Sequence, residues 1–350
     1  MAARPPCEVN HLSNVTSNDG GVENAPARST PFLLYGALLF CLGIAGFLFG
    51  VLLVFPRYLL GMHAVFDPIA AWLVWYSGVP IVFGLALILF DLLVLLRLKK
   101  PSAAVRYNPL LNRKVTVALT AYNDEDSIID AVEDFLSNPF VARVIVVSNN
   151  SRDQTLERAL GAGAIGFNEL QPGYGRCVFR CLTEAVKFED VDWVVLCEGD
   201  RTFRAYDIEK LLAYAPHADI VNGTRTVEPL RQYITQLTTF MFYGNIFVGK
   251  LLEAKYLGRG TITDVGTTYK LCHRDALARL LPRLKPGINL EFNAHFLDAA
   301  LRNSLVLVEC PITFHPRVGI SKGGNVNNLR GLKVGLRMIA GILFGWRAAS

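Results

Sequence analysis

The sequence predicts an α/β fold: a domain with a mainly parallel sheet, preceded by a two-helix transmembrane hairpin. From residue 114 onward, short apolar runs alternate with segments of helical spacing, which is typical of parallel strands joined by crossover helices. Before that point, residues 32–55 and 69–96 form two apolar runs, and each exceeds the roughly 20 residues that span a bilayer. The parts we expect are a disordered tail (1–30), the hairpin (31–98), a linker (99–113), the α/β domain (114–325) and an amphipathic, membrane-interfacial segment (326–350).

The N-terminal part of the chain indicates which side of the membrane holds the α/β domain. Residues 1–30 are rich in Asn, Ser, Pro and Gly and lack an apolar period, so we expect them to be disordered. A hairpin leaves both chain ends on one side. Basic residues are concentrated after the second apolar run, whereas the loop between the runs offers only Arg57 and His63 against Asp67. The positive-inside rule therefore predicts an integral membrane protein with a cytoplasmic α/β domain.

Composition limits the partners that this chain is expected to bind. Seven Cys residues, an odd number without paired spacing, are most simply explained as the reduced thiols of a cytoplasmic protein. A net charge of +5, with acids and bases interspersed, argues against nucleic acid as a partner. Asp91 lies within the second apolar run, and its closeness to Arg97 favours ion pairing near the membrane interface over a functional role.

The α/β domain begins with three predicted strands whose carboxyl ends share one edge of the sheet. Strands are expected at 115–120, 144–147 and 193–197, helices at 124–136, 153–160 and 176–188, and a loop or short strand at 161–166. The helix at 124–136 has its apolar residues on one side and acids in its first turn. Because crossovers between parallel strands are right-handed, the strand ends meet at the edge where open α/β sheets bind ligands.

Each of these strand ends carries a polar cluster, at residues 120–125, 148–153 and 198–200. Short amide, hydroxyl and carboxylate side chains can hydrogen-bond a base and a ribose. Glu198 and Asp200 follow an apolar strand, and without Cys or His at ligand spacing they suit a hard cation such as Mg²⁺ or Mn²⁺. Such a cation suits a diphosphate, so the edge is interpreted as a nucleotide-diphosphate site. The glycine-rich loops that commonly bind phosphates are absent from the sequence.

Seven motifs follow one another through the α/β domain. They are Thr120-Ala-Tyr-Asn-Asp-Glu125, Val146-Val-Ser-Asn-Asn-Ser151, Gly173-Tyr-Gly175, Glu198-Gly-Asp200, Asn222-Gly-Thr-Arg225, Asp264-Val-Gly-Thr-Thr-Tyr-Lys270, and Val308-Glu-Cys-Pro-Ile312 with Arg317-Val-Gly-Ile-Ser-Lys322. In these motifs the chain resembles family 2 glycosyltransferases, inverting enzymes of the Rossmann-like GT-A fold, and most of all the dolichyl- or polyprenyl-phosphate glycosyltransferases. The chain departs from the family pattern at Ser148, where Asp is usual, at Glu198, which replaces the first Asp of the metal motif, and at Thr202, where a Gln ligand is common.

The resemblance implies a role for each group of residues. The donor, a nucleotide sugar such as a GDP- or UDP-hexose, would contact Ala121, Tyr122, Asn123, Glu125, Ser148, Asn149, Gly173 and Arg225. Glu198 and Asp200 would hold Mg²⁺ or Mn²⁺. The catalytic group would comprise Asp200, Arg317, Lys322, Asp264 and Glu291, with the two basic residues positioning phosphates. The lipid acceptor, polyprenyl phosphate, is already anionic and needs no general base.

Three functions remain open from the sequence. The leading hypothesis is inverting, metal-dependent transfer of a sugar to polyprenyl phosphate at the cytoplasmic membrane face. The second is transfer to a hydroxyl of a glycolipid or glycan, with Asp264 or Glu291 as the general base. The third is a non-catalytic membrane scaffold, which the unusual Ser148 and Glu198 would support. Residues 230–252 and 332–346 suit interfacial helices, and core packing is the competing interpretation.

Overall fold

The computed structural model describes residues 30–99, 105–232, 235–319 and 327–347. These residues comprise an N-terminal helical hairpin and an α/β domain that ends in a long helix. Residues 1–29 of the predicted tail, part of the predicted linker (99–113) and Lys322 lie outside the described residues.

Two nearly continuous helices form the hairpin. They consist of α1 (Phe32–Leu52) and α2 (Val54–Leu59), then α3 (His63–Tyr76), α4 (Gly78–Phe90), one π-helical turn (Asp91–Leu95) and α5 (Leu96–Lys99). The two continuous stretches, Phe32–Leu59 and His63–Lys99, each contain a window with a mean hydropathy of 2.8. Most of their large apolar side chains are exposed. By length and composition, both stretches are sufficient to cross a membrane.

A buried ion pair joins the two ends of the hairpin. Lys99 Nζ lies 2.5 Å from Asp91 Oδ1 and donates a second hydrogen bond of 3.2 Å to the carbonyl of Thr30. Asp91 Oδ2 accepts a hydrogen bond of 2.7 Å from the backbone N of Leu33, in the first turn of α1. The carboxylate thus satisfies a backbone donor that has no partner within the helix. Asp91 is paired as expected, but its partner is Lys99 and not Arg97.

A seven-stranded sheet forms the centre of the α/β domain. Its strands are β1 (Val115–Ala121), β2 (Val141–Ser148), β3 (Ile165–Asn168), β4 (Trp193–Glu198), β5 (Ile220–Thr224), β6 (Lys270–His273) and β7 (Leu307–Pro311), in the order β3-β2-β1-β4-β6-β5-β7. β6 is antiparallel to β4 and β5, and all other neighbours are parallel. The predicted mainly parallel sheet and its first strands are therefore confirmed, and the sheet is mixed because β6 is inserted in the opposite direction.

Helices cover both faces of this sheet. They are α6 (Ile128–Leu136), α7 (Thr155–Gly161), α8 (Tyr174–Ala185), α9 (Asp207–Tyr214), α10 (Thr239–Lys255), α11 (Arg274–Leu280), α12 (Phe292–Arg302) and α13 (Asn328–Phe344). One core contains the apolar faces of α6, α7 and α9, including Phe135 and Leu211. The other contains α8, α11 and α12, including Leu182 and Phe296. Because both faces are covered, every residue of β1 is buried, as expected for a central parallel strand.

α10 and α13 form an additional layer next to the hairpin. They pack against each other, α13 also packs against α12, and α1 contacts α10. Each helix begins with a side-chain cap: Thr238 accepts a hydrogen bond from the backbone N of Met241, and Asn327 accepts one from that of Arg330. This layer therefore lies between the hairpin, which it contacts through α10, and α12 of the α/β domain.

Candidate active site

The acidic pair predicted at the end of β4 lies at the centre of the site. Asp200 is only 2% exposed, and its Oδ1 accepts hydrogen bonds from the backbone N of Thr202 at 3.1 Å and from Thr202 Oγ1 at 2.6 Å. Glu198 Oε1 accepts a hydrogen bond of 2.6 Å from Thr268 Oγ1. Burial and then the negative charge of Glu198 raise the pKa of Asp200 to about 6, although Arg317 opposes the shift. The positive charge of Arg317 therefore offsets only part of the unfavourable effect that burial and Glu198 have on the ionised Asp200.

Arg317 connects the ends of two neighbouring strands. Its Nη1 lies 3.2 Å from Asp200 Oδ2, and its Nη2 donates a hydrogen bond of 2.7 Å to Asp124 Oδ1. The backbone N of Val318 also donates to the carbonyl of Asp200 at 3.2 Å, which fixes this segment against the strand end. The structure therefore brings Arg317 next to the acidic pair, and its role in the reaction stays a prediction.

Asp124 is a site residue that the sequence reasoning missed. It was interpreted as one of the acids in the first turn of a helix beginning at residue 124, but α6 begins at Ile128. Asp124 instead lies in the turn after β1, where its Oδ2 accepts a hydrogen bond of 2.9 Å from the backbone N of Tyr122. Burial raises the pKa of Asp124 despite the nearby Arg317. Its position directly after the first strand was the signal that could have identified it.

Arg225 and Asp264 form a second buried ion pair. Arg225 Nε and Nη2 donate to the two Asp264 carboxylate oxygens at 2.7 and 2.8 Å. Burial alone would raise the pKa of Asp264, but Arg225 and backbone donors outweigh it and hold that pKa below its usual value. The backbone of Asp264 is held in turn by Glu309 and Asn222. This geometry suits a role for Asp264 in orienting Arg225, and it suits the role of a general base less well.

The remaining predicted catalytic acid, Glu291, lies at the start of α12. It is 6% exposed, and its Oε1 accepts a hydrogen bond of 3.2 Å from Arg337 Nη1 of α13. This ion pair connects α12 and α13, and it gives Glu291 a structural partner.

Some of the predicted nucleotide-sugar contacts border the cavity and others stabilise the turns around it. Ala121, Tyr122, Asn149, Gly173 and Arg225 line the cavity. Asn149 also shapes it, because its Oδ1 accepts a hydrogen bond of 3.0 Å from the backbone N of Gly173.

Three of the predicted contacts, together with the two acids Asp264 and Glu291, lie outside the cavity that the described residues enclose. Ser148 is 1% exposed and donates to Ser151 Oγ at 2.8 Å. Asn123 Oδ1 accepts from the backbone N of Arg152 at 2.8 Å, and Glu125 Oε2 accepts from that of Gln154 at 3.2 Å. These side chains hold the strand-end turns together.

A chain of hydrogen bonds that begins at Thr268 fixes the side chain of Glu198. Thr268 Oγ1, which donates to Glu198, lies 2.5 Å from Tyr174 Oη, and Asn293 Nδ2 donates to the same Oη at 2.9 Å. Burial, and then the charge of Glu198, raises the pKa of Tyr174 well above its usual value, so the phenol stays protonated. Three parts of the chain, α8, the segment just before β6 and α12, therefore fix the position of one carboxylate.

One cavity of about 1070 Å³ extends from the strand ends to the outer helical layer. At its inner end lie Glu198, Asp200, Arg225 and Arg317. Its outer end is lined by apolar side chains of α10 and α13, among them Phe240, Tyr243, Phe247, Leu332, Leu336 and Ile339. The cavity therefore joins a charged compartment to an apolar one.

The residues at the inner end fit a divalent cation. The described residues hold no group of three or more His, Cys, Asp or Glu side chains arranged as metal ligands. Two carboxylates are nevertheless the protein ligands that Mg²⁺-type sites commonly use, because phosphate oxygens and water complete the coordination. Burial and then Glu198 raise the pKa of Asp200, and a cation bound to the two carboxylates would offset both effects.

Comparison with solved structures finds partial likenesses of fold. Glucosyl-3-phosphoglycerate synthase from Mycobacterium tuberculosis, crystallised with Mn²⁺, uridine diphosphate and phosphoglyceric acid, has a TM-score of 0.48 at 16% identity, covering 66% of this chain and 78% of that chain. Likeness at this level does not extend to ligands.

Sequence comparison gives the family. Residues 116–281 match the model of "Glycosyl transferase family 2". Low-salt glycan biosynthesis hexosyltransferase Agl6 of Haloferax volcanii is 26% identical over 220 residues, which are 59% of this chain and 48% of that protein, so the chain spans about half the length of this relative. Uncharacterized glycosyltransferase Rv0539 of M. tuberculosis is 34% identical over 240 residues, which are 67% of this chain and 98% of that protein. The chain therefore belongs to glycosyltransferase family 2 and is a glycosyltransferase.

Proposed function

We propose that this glycosyltransferase moves a hexose from a nucleotide sugar, such as a UDP- or GDP-hexose, to a polyprenyl phosphate, with inversion at the anomeric carbon. The observation that carries the proposal is the composition of the cavity. Its inner end combines an acidic pair with two arginines, and its outer end is apolar and is formed by the layer that contacts the hairpin. A charged head group on a hydrocarbon chain matches both ends.

We assign each charged group at the inner end of the cavity to one part of the reaction. A divalent cation, Mg²⁺ or Mn²⁺, held by Glu198 and Asp200 would neutralise the departing nucleoside diphosphate. Arg317 and Arg225 point planar, multidentate donors into the inner compartment, and such donors suit phosphate oxygens. Lys322 stays a candidate for the same role. The acceptor phosphate carries negative charge at neutral pH, so its oxygen attacks the anomeric carbon without a general base.

The structure gives less support to a hydroxyl acceptor. A hydroxyl needs a base within hydrogen-bond reach, and the two acids considered for this role are Asp264 and Glu291. Both are engaged with arginines and lie outside the described cavity, and the pKa of Asp264 is lowered. A non-catalytic scaffold is also disfavoured, because it would have no reason to keep the buried Asp200 beside Glu198.

The hairpin supports a location in the membrane. Its two helical stretches are long and apolar enough to span, and by the positive-inside rule the basic residues that follow it favour a cytoplasmic catalytic domain. On α13, Leu329, Leu332 and Leu336 are exposed in a stretch that also carries Arg330, Lys333 and Arg337. This pattern suits a helix lying at an anionic membrane surface.

A transfer assay tests the proposal. Purified protein in lipid nanodiscs is incubated with labelled UDP- and GDP-hexoses, a polyprenyl phosphate, and Mn²⁺, Mg²⁺ or EDTA. We expect a labelled lipid that requires the cation and disappears in Asp200→Ala. Asp275→Ala is the matched control, because this acid is exposed at the start of α11, away from the cavity. Failure of folded wild-type protein to label the lipid from any donor would refute the proposal, and labelling of a glycan hydroxyl instead would establish the alternative.

A further inference from the structure

One buried carboxylate, Asp298 of α12, connects that helix to the two helices of the outer layer, α10 and α13. Asp298 is 3% exposed. Its Oδ1 accepts hydrogen bonds from Lys255 Nζ at 2.7 Å and from Tyr256 Oη at 3.0 Å, at the end of α10. Its Oδ2 accepts a hydrogen bond of 2.8 Å from Trp346 Nε1, just after α13. Both oxygens are thus used, and each binds a different helix of the outer layer.

Trp346 is held in a fitted position at the end of α13. Gly345, with φ of 92°, turns the chain after the helix, which lets the indole fold back. The ring then lies directly over Gly341, where an added Cβ would come within 2.4 Å of it. The ring of His295 lies 5.3 Å away, and Lys285 Nζ donates a hydrogen bond of 2.8 Å to the carbonyl of Trp346. Three contacts of the indole, with Asp298, Gly341 and His295, would have to break for it to leave, and the bond from Lys285 fixes the backbone beside it.

Asp298, Lys255, Tyr256 and Trp346, hereafter the Asp298 brace, have no direct place in the reaction. None of the four borders the cavity defined by the described parts of the chain. However, α10 and α13 supply the two apolar walls at its outer end. At their other ends these helices are joined by Thr238 Oγ1, which donates to Asn328 Oδ1 at 2.9 Å. The brace and this hydrogen bond therefore fix the separation of the walls from opposite ends.

We propose that the Asp298 brace positions the lipid acceptor by setting the width of the apolar channel between α10 and α13. The proposal rests on the proposed function, because it assigns the channel to the hydrocarbon chain of the acceptor. Asp298 and Trp346 are then positioning residues: they act on the acceptor through α10 and α13, and they leave the donor end of the cavity, around Asp200 and Tyr122, unchanged.

Two variants of Trp346 and one control variant test the Asp298 brace. Trp346→Ala removes the ring and its N–H, Trp346→Phe keeps a ring over Gly341 but loses the hydrogen bond, and Trp193→Phe is the matched control. Trp193 is buried, whereas Trp346 is half-buried, and it lies on β4 against His273, at the strand end opposite the acidic pair. Asp298 itself is left intact, because its loss would remove three hydrogen bonds at once and leave the half-buried Lys255 without its counter-charge.

Steady-state kinetics of the nanodisc-bound protein measure the effect. We expect Trp346→Ala to raise the KM for polyprenyl phosphate on the order of tenfold, with kcat and the KM for the donor within about twofold of wild type. Trp346→Phe should fall between wild type and Trp346→Ala, since a single hydrogen bond contributes less than the ring and bond together. Trp193→Phe should match wild type. A purely structural role would instead lower kcat and affect both KM values.

Hydrogen exchange on the substrate-free protein tests the brace without any reaction. We expect Trp346→Ala to lose amide protection in α13 and at the end of α10, with the sheet unaffected. If wild-type protein makes no lipid product, the proposed function fails, while the exchange pattern still decides whether the brace holds the two helices. If wild-type protein makes the product but Trp346→Ala keeps the wild-type KM for the acceptor, the inference is wrong and the proposed function stands.

Discussion

Replacing Asp200 with Asn should stabilise the cation-free protein at neutral pH and abolish transfer. The pKa of Asp200 rises from 3.8 to about 6 on folding, mainly because of burial and then because of Glu198. At about 1.4 kcal/mol per pKa unit, the ionised carboxylate destabilises the fold by about 3 kcal/mol. Asn has nearly the same shape, and its Oδ1 can still accept the two hydrogen bonds from Thr202. Its Nδ2 then replaces the Oδ2 that lies 3.2 Å from Arg317 Nη1, and the loss of that contact makes about 3 kcal/mol the upper bound of the gain, although Arg317 keeps its ion pair with Asp124.

The direction of the pKa shift of Asp200 determines how the stability difference between the two proteins changes with pH. A carboxyl whose pKa is higher in the folded state contributes stability while it is protonated and loses that contribution as pH rises through its folded pKa. Wild-type protein should therefore lose stability between about pH 4 and pH 6 relative to Asp200→Asn. The pH-dependent part of the difference between the two proteins should be about 3 kcal/mol at pH 8 and about half of that at pH 5. Below pH 4 it should vanish.

Chemical unfolding in EDTA, from pH 4 to pH 8, is the assay. Asp134→Asn serves as a control of opposite sign, because hydrogen bonds from Arg204 and from the backbone N of Ala205 outweigh burial and lower the pKa of Asp134. That variant should be less stable than wild type at pH 8. If Asp200→Asn is destabilised at pH 8, or stabilised equally at pH 4 and pH 8, the account of Asp200 as an electrostatically unfavourable site residue is wrong. Adding Mn²⁺ should stabilise wild type and not Asp200→Asn.

Two further sets of variants test the packing behind the site. Gly175→Ala would place a Cβ 1.7 Å from the carbonyl oxygen of Ile288, so we expect it to lower the free energy of unfolding by about 3 kcal/mol. The Cβ of Gly161→Ala meets nothing within 4 Å, so this control variant should be more stable than wild type by about 0.5–1 kcal/mol. Equal effects of the two variants in thermal unfolding would contradict the packing described. Asp264→Asn leaves Arg225 buried without its counter-charge and should destabilise by roughly 3–5 kcal/mol, with partial recovery when Arg225→Met is added. If Asp264→Asn instead kept wild-type stability and lost only transfer, Asp264 would be a base and the assigned holding role would be wrong.

The sequence was sufficient to predict the sheet edge because apolar strands and crossover geometry determine where strand ends lie. The three polar clusters, and Glu198 and Asp200 among them, could therefore be brought together without coordinates. β6 could not be predicted in the same way. It has only four residues, and it begins with Lys270, which is fully buried and donates to the carbonyl of Thr267. Neither its length nor its composition indicates a strand.

The roles of individual acids depended on contacts between distant residues. The partner of Asp264 is 39 positions away in the chain, and the partner of Glu291 is 46 positions away. Nothing in the local sequence distinguishes a carboxylate that holds an arginine from one that faces a substrate. The error at Asp124 was local by contrast: an acid just before an apolar helical pattern fits a first helical turn as well as it fits a strand-end turn.

The direction of each pKa shift separates the two kinds of acid that the sequence could not separate. Asp264 lies behind the cavity, and its arginine more than compensates for its burial, so its pKa falls and the fold gains from its charge. Asp200 lies in the cavity, and Arg317 compensates for its burial only in part, so its pKa rises and the fold is weakened by its charge. A strongly perturbed carboxyl in a cavity is a candidate functional group, because a bound cation can supply the positive charge that the fold does not. We therefore expect transfer to depend on Asp200, and the shape of the site to depend on Asp264.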